Sequence, residues 1–300
     1  MATLVKKIDI HVHTAPRKGL PRYCGSDGSD YCTPTELRSK YDAMGIEKGV
    51  ILPSLNPECN FRIVTNEMAA QMAEDFPETF CWFCNIDPRY GTNSDKMDFT
   101  PFINYYKAMG AKGVGEICAN LYFDDPRVLN LFKHCEINNM PVIFHIGGPD
   151  GGDYGLIDEI GLPRLEKVLQ MFPKLQFLGH SQKFWAEISA DVTEESRYGF
   201  PTGPVIPGRV VELMRKYPNL SCDLSAGSGG NAIMRDPEFG YAFLEEFQDR
   251  LYYGTDFCSP KNVMLLGEYL DRAVEDGKIS QTAYEKICRE NALRLLNREM

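Results

Sequence analysis

Val5-Lys-Lys-Ile-Asp-Ile-His-Val12, with His13 directly behind it, reads as a short β-strand that ends in a pair of histidines. What comes next decides the architecture. A doubly wound sheet of the dinucleotide-binding kind carries a Gly-rich GxGxxG turn after its first strand, whereas here the chain continues Thr14-Ala-Pro-Arg17. Working outward, seven more short apolar runs follow at 49–53, 80–86, 112–118, 141–146, 176–180, 220–224 and 251–255. They are nearly continuous in apolar residues rather than alternating, the pattern of parallel strands covered on both faces. A helix-like segment follows each one. Thr33-Pro34-Thr35-Glu36 has the form of a capping box with proline at the first helical position. Asp125-Pro126, Asp236-Pro237 and Ser259-Pro260 repeat the cap-then-proline device. Met44-Gly45, Met109-Gly110, Phe172-Pro173 and Tyr217-Pro218 mark helix ends. Eight strand–helix units predict an α/β fold, a (β/α)8 TIM barrel that forms a single domain over residues 1–300. The segment 281–296 reads as an extra C-terminal helix packed on the outside.

The bulk composition fits that reading. The 300 residues are 43% hydrophobic and 25% charged, ordinary for a globular chain with a large core. The formal net charge of -10, without a long basic run, argues against nucleic acid and anionic membrane as partners. No apolar run approaches the ~18 residues that span a bilayer, and the N-terminus goes straight into a strand without a signal-peptide pattern, so a cytoplasmic location is expected. Ten cysteines in such a setting read as reduced thiols. Cys81-Trp-Phe-Cys84 has redox or zinc spacing, but in a strand residues three apart face opposite ways, and no second CxxC completes a zinc site.

A TIM barrel places its chemistry at the C-terminal ends of its strands, and the chain's ionisable residues collect there. Of five histidines, His11 and His13 end the first strand, His145 the fifth and His180 the sixth. Glu116 lies near the end of the fourth and Asp256 ends the eighth. Only His134, within a helical segment, stands apart as a structural or surface residue. Residues i and i+2 of a strand share a face, so His11 and His13 can bind one ion. Imidazole nitrogens suit Zn2+, with Mn2+, Fe2+ or Ni2+ also compatible. A carboxylate in a strand as apolar as Gly113-Val-Gly-Glu-Ile117 is costly unless paired or metal-bound. The two glycines leave room for something bulky beside the backbone.

Together, Ile8-Asp-Ile-His-Val-His13, Val142-Ile-Phe-His145, Leu178-Gly-His180, Tyr253-Gly-Thr-Asp256 and Asn291-Ala-Leu-Arg-Leu-Leu296 resemble the amidohydrolase superfamily, specifically its amidohydrolase-2 type. That resemblance implies a metal-dependent barrel. His11, His13 and Asp256 would bind one ion, and His145 and His180 a second, or one of those two would polarise the substrate. Glu116 matches the bridging carboxylate of two-metal relatives, and Lys112 sits too early in the strand for that role. The expected reaction is hydrolysis, with metal-activated hydroxide attacking the carbonyl of an amide, lactone or ester in a small substrate. Asp256 would shuttle the proton, and His180 or His145 would stabilise the oxyanion. The alternative is a lyase, a metal-dependent decarboxylase or hydratase of an aromatic or unsaturated carboxylate, a reaction the same branch also contains.

Substrate selection belongs to the loops. The candidates for a substrate carboxylate are Arg17 and Arg22 after the first strand, Arg62 after the second, and Lys183 with Trp185 after the sixth. Tyr122 and Phe123 are candidates for an apolar wall, and 150–154 for a glycine-hinged cover. The expected partner is a small-molecule substrate, and a homodimer is the base-rate expectation for oligomeric state.

Overall fold

A computed structural model describes residues 2–19, 30–59, 62–149 and 153–297 of the chain. Eight parallel strands make the barrel: β1 Lys7–Val12, β2 Ile46–Ile51, β3 Phe80–Trp82, β4 Val114–Ile117, β5 Val142–Gly147, β6 Phe177–His180, β7 Leu220–Asp223 and β8 Leu251–Tyr252. Two runs of paired strands, β1-β2-β3 and β4-β5-β6-β7-β8, account for all eight. Two seams join them. Cys84 bridges Val114 between β3 and β4, and Val12 bridges Phe257 between β1 and the chain just after β8. A two-residue accessory strand, Leu156–Ile157, pairs beyond the end of β5. The strands are nearly all buried, as their apolar sequences require.

Local chemistry sets the helix starts. In α1, Pro34–Met44, Thr33 and Glu36 close the capping box, and Gly45 at φ 67° ends the helix in the left-handed region. Asp125 caps Pro126–Ile137, and Asp236 caps Pro237–Glu246. Ser259-Pro260 behaves otherwise. The Ser259 hydroxyl accepts from the Lys261 N–H, Asn262 Oδ1 gathers the Cys258 and Ser259 N–H groups into a turn, and the helix after β8 begins only at Leu266.

Gly113 and Gly115 make room for the protein itself. A Cβ on Gly113 would lie 2.5 Å from the Phe83 ring, and one on Gly115 2.4 Å from the Ile143 carbonyl oxygen. Cys81 and Cys84 are free thiols turned to different backbone carbonyls, Gly49 and Gly113. His134 accepts or donates a structural hydrogen bond at Thr100, 2.8 Å away.

The C-terminal segment is not an outer appendage. Gln281–Glu285, a π-turn at Lys286–Glu290 and Asn291–Leu296 run on from one another. Ala292, Leu295 and Leu296 pack into a cluster with Ile8, Ile10, Val50, Leu52, Phe83, Ile143, Leu178 and Tyr252. This cluster fills the barrel interior, so the helix plugs it from below. The Asn291 amide donates to the Gln248 and Leu251 carbonyls and fixes the plug to the foot of β8. A larger apolar shell packs between the strands and the surrounding helices. No described helix is long and apolar enough to cross a membrane.

Candidate metal centre and active site

Above this apolar interior, the strand ends gather ionisable groups around one point. His11 Nε2 and His13 Nε2 are 3.0 Å apart. Glu116 Oε2 lies 3.6 Å from the first and 3.4 Å from the second, and Asp256 Oδ1 lies 3.5 and 3.4 Å from them. Four donors bound tetrahedrally at about 2.1 Å would be separated by about 3.4 Å. The five distances measured here bracket that value, so the donor set fits a divalent cation.

Each histidine is oriented from behind. His11 Nδ1 is 2.6 Å from Asp223 Oδ2, and His13 Nδ1 is 3.0 Å from the Leu52 carbonyl, which leaves both Nε2 atoms facing the centre. His145 and His180 adjoin from β5 and β6. Glu116 Oε1 lies 2.7 Å from His145 Nδ1 and 3.8 Å from His180 Nε2. One oxygen of Glu116 therefore faces the His11–His13 pair and the other faces the His145–His180 pair. Among the described residues its ionic partners are histidines alone. Asp256 reaches the centre from a left-handed backbone at φ 55°, anchored by its N–H to the His11 carbonyl.

Charge balance points the same way. Burial alone would raise the Glu116 carboxyl, but the His11 and His145 charges hold it well below the usual carboxylate range. Burial would lower His11, yet Asp256, Asp223 and Glu116 around it raise it well above the usual histidine value. Buried carboxylates concentrated on a few imidazoles form a cluster in which a cation can replace protons.

Asp223, which the sequence reading passed over, is fully buried at the end of β7. Its carboxylate accepts from the Ser225 hydroxyl and lies 3.2 Å from His180 Nδ1, so it orients two histidines together. The register of the folded sheet brings them together: Gly179 on β6 pairs with Cys222 on β7, which puts Asp223 beside His180. Asp9 was likewise unremarked beyond the motif. It is buried, takes hydrogen bonds from Tyr41 and Thr255, and burial pushes its carboxyl up to about 6.

A cavity of about 50 Å³ opens over the centre, lined by His13, Glu116, His145 and Asp256 with Ser54, Asn85 and Tyr154. The Tyr154 ring tilts over His145 at 4.4 Å. The loop candidates fall elsewhere. Arg62 pairs with Asp30, and its other guanidinium nitrogen donates to the carbonyl of Arg17, an exposed residue. Lys183 pairs with Asp153 beneath the Tyr198 ring. Tyr122 lies under the Arg164 guanidinium away from the cavity, and Phe123 is core, edge-on to Phe144. Trp185 is buried behind the site, where its indole N–H donates to the Asp223 carbonyl. Arg22 and residues 150–152 of the proposed cover lie outside the described residues. No Lys or Arg lines the cavity among the described residues.

The amidohydrolase family model described as Amidohydro_2 matches residues 8–298. The chain belongs to the amidohydrolase family. Solved structures agree on the barrel. An uncharacterised TIM-barrel protein from Bordetella bronchiseptica shares 21% identity, with 97% of this chain and 98% of that one covered and a TM-score of 0.65. A probable 2-pyrone-4,6-dicarboxylic acid hydrolase from Acinetobacter baumannii shares 15%, with 97% and 99% covered and a TM-score of 0.58. A dihydroxybenzoic acid decarboxylase from Polaromonas sp. JS666, with manganese and 2-nitroresorcinol bound, shares 16%, with 99% and 98% covered and a TM-score of 0.61. At these identities the likeness of this amidohydrolase-family chain to them is one of fold. No curated protein matches it by sequence.

Proposed function

We propose that this chain is a metal-dependent hydrolase acting on the carbonyl group of a small amide, lactone or ester. The observation that carries the reading is the division of Glu116, one oxygen toward His11 and His13 and the other toward His145 and His180. That is how a carboxylate between two ions is placed. His11, His13, Glu116 and Asp256 would hold the first ion, and Glu116, His145 and His180 the second. Zn2+ is the first choice for this donor set, with Mn2+, Fe2+ or Ni2+ as alternatives. When bound, such an ion supplies a Lewis acid and lowers the pKa of water from about 15.7 towards 7. Asp256, partly open to the cavity, takes the proton from the attacking water and passes it to the leaving group. With only the first ion bound, His180, its Nδ1 engaged by Asp223 and Ser225, would instead present Nε2 to the oxygen that gains charge. Asp223 and Trp185 hold these groups in place.

The second reading is non-oxidative decarboxylation, supported by the decarboxylases among the similar barrels. One catalytic domain, a cytoplasmic setting and a homodimer belong to the same proposal. Metal content of chelator-free protein, measured beside Glu116→Gln, tests it. The expected result is two equivalents in the wild type, one or fewer in the variant, and a loss of hydrolysis on the order of a hundredfold or more. A variant that keeps both ions and full activity would sink the bridging role, and CO2 as product would establish the second reading.

A further inference from the structure

We infer that Asn85 is a specificity-determining residue whose side-chain oxygen accepts a hydrogen bond from a substrate N–H beside the carbonyl under attack, which makes the substrate class a primary or secondary carboxamide. The inference rests on the hydrolase reading above. Asn85 follows β3, is 1% exposed and lines the cavity. Its side-chain Nδ2 donates to the Pro53 carbonyl at 3.0 Å and the Glu116 carbonyl at 2.7 Å, using both of its protons. Its backbone is clamped as well: the N–H donates to Asn66 Oδ1 at 2.7 Å, and the carbonyl accepts from Asn66 Nδ2 at 2.9 Å. A flipped amide would set an oxygen against two carbonyl oxygens, so the assignment of Oδ1 follows from its partners.

Oδ1 is buried and unpartnered. Among the described residues the other unpartnered atoms of this kind, on Gln176, Arg235, Tyr253 and Tyr269, belong to residues that do not line this cavity. An acceptor left without a donor in a buried site costs more than the hydrogen bond it could make would contribute. A rigid scaffold that holds it there selects a ligand bringing the donor. Nδ2 is bonded to the backbone carbonyl of Glu116, the residue whose carboxylate faces both histidine pairs. The site thus combines cation-binding groups with an unpartnered neutral acceptor on a residue that lines the cavity, which suits a carbonyl flanked by N–H.

The test uses zinc-loaded protein and two probes, benzohydroxamate and N-methylbenzohydroxamate, titrated calorimetrically. Both chelate divalent ions, but only the first has an N–H. Wild type is expected to prefer benzohydroxamate by about tenfold or more. In Asn85→Leu that ratio should fall to near unity, through loss of benzohydroxamate affinity with the N-methyl probe unchanged. Asn85→Ala, which also removes the acceptor, should bring the same fall in the ratio. Zinc content of each variant reports that the site is intact. Equal affinities in the wild type, or a preference that survives Asn85→Leu, would overturn the role of Asn85 while leaving the metal reading standing. Protein that retains no zinc and binds neither probe would overturn both.

Discussion

Asp223 lines no part of the cavity, yet His11 and His180 both lean on its carboxylate, at 2.6 and 3.2 Å. Burial would raise that carboxyl, and the two histidines lower it instead, so it is charged in the native site. Asp223→Asn keeps the shape and removes the charge that fixes both rings. Metal affinity should fall about 10–100-fold, read by competition with a chromogenic chelator, while circular dichroism stays native. Unchanged affinity would mean that the backbone alone orients the rings. At this scale the cluster of candidate donors was legible because histidines are few and each of the four sits at a strand end. Asp223 was not, since one carboxylate in a strand carries no mark of what it faces. The loop cations misled for a related reason. Arg62 and Lys183 are spoken for by Asp30 and Asp153, each some thirty residues distant, and sequence does not show which charges a fold will pair.

Elements with local causes could be read in advance: the capping box of α1, the Asp-Pro starts and the glycine stops. Ser259-Pro260 could not, because Asn262 claims the neighbouring N–H groups for a turn. Gly113 and Gly115 stand out in the sequence, but the Phe83 ring and Ile143 carbonyl that need their space come from other parts of the chain. Gly115→Ala should cost about 2–3 kcal/mol in urea unfolding, because a Cβ there meets the Ile143 carbonyl at 2.4 Å from a backbone at φ 137°. A neutral outcome would mean that β4 can shift. Asp158 caps the helix Pro163–Met171 through the Arg164 and Leu165 N–H groups, and burial pushes its carboxyl up to about 7 from 3.8. The folded chain therefore binds this proton more tightly than the unfolded one. Its contribution is complete below about pH 4 and is lost as pH rises through about 7. Urea midpoints should decline across that window in the wild type and less steeply in Asp158→Asn. Parallel slopes would assign the decline to other groups.

For the whole molecule, the barrel was legible from the recurrence of strand and helix, but the direction in which its last helix packs was not. An apolar face at 281–296 looks the same whether it covers the barrel wall or closes its floor. Because Leu295 is part of the floor, Leu295→Ala should destabilise by about 2–5 kcal/mol. Metal affinity should stay within about twofold, since the donors stand at the opposite end of the strands. Coupled losses would show that floor and centre act as one unit. The seam between β1 and β8 carries a different consequence. Thr255 and Asp9 bond across 246 positions of chain, and the Asp256 N–H meets the His11 carbonyl at the same junction. Closing a loop this long carries an entropic cost that the junction's contacts must offset. Two of the metal donors come from one side of the join and Asp256 from the other, so a complete binding site exists only once the ring has closed. An ion held there would act as the clasp of the ring, binding only the closed barrel and stabilising it by that preference.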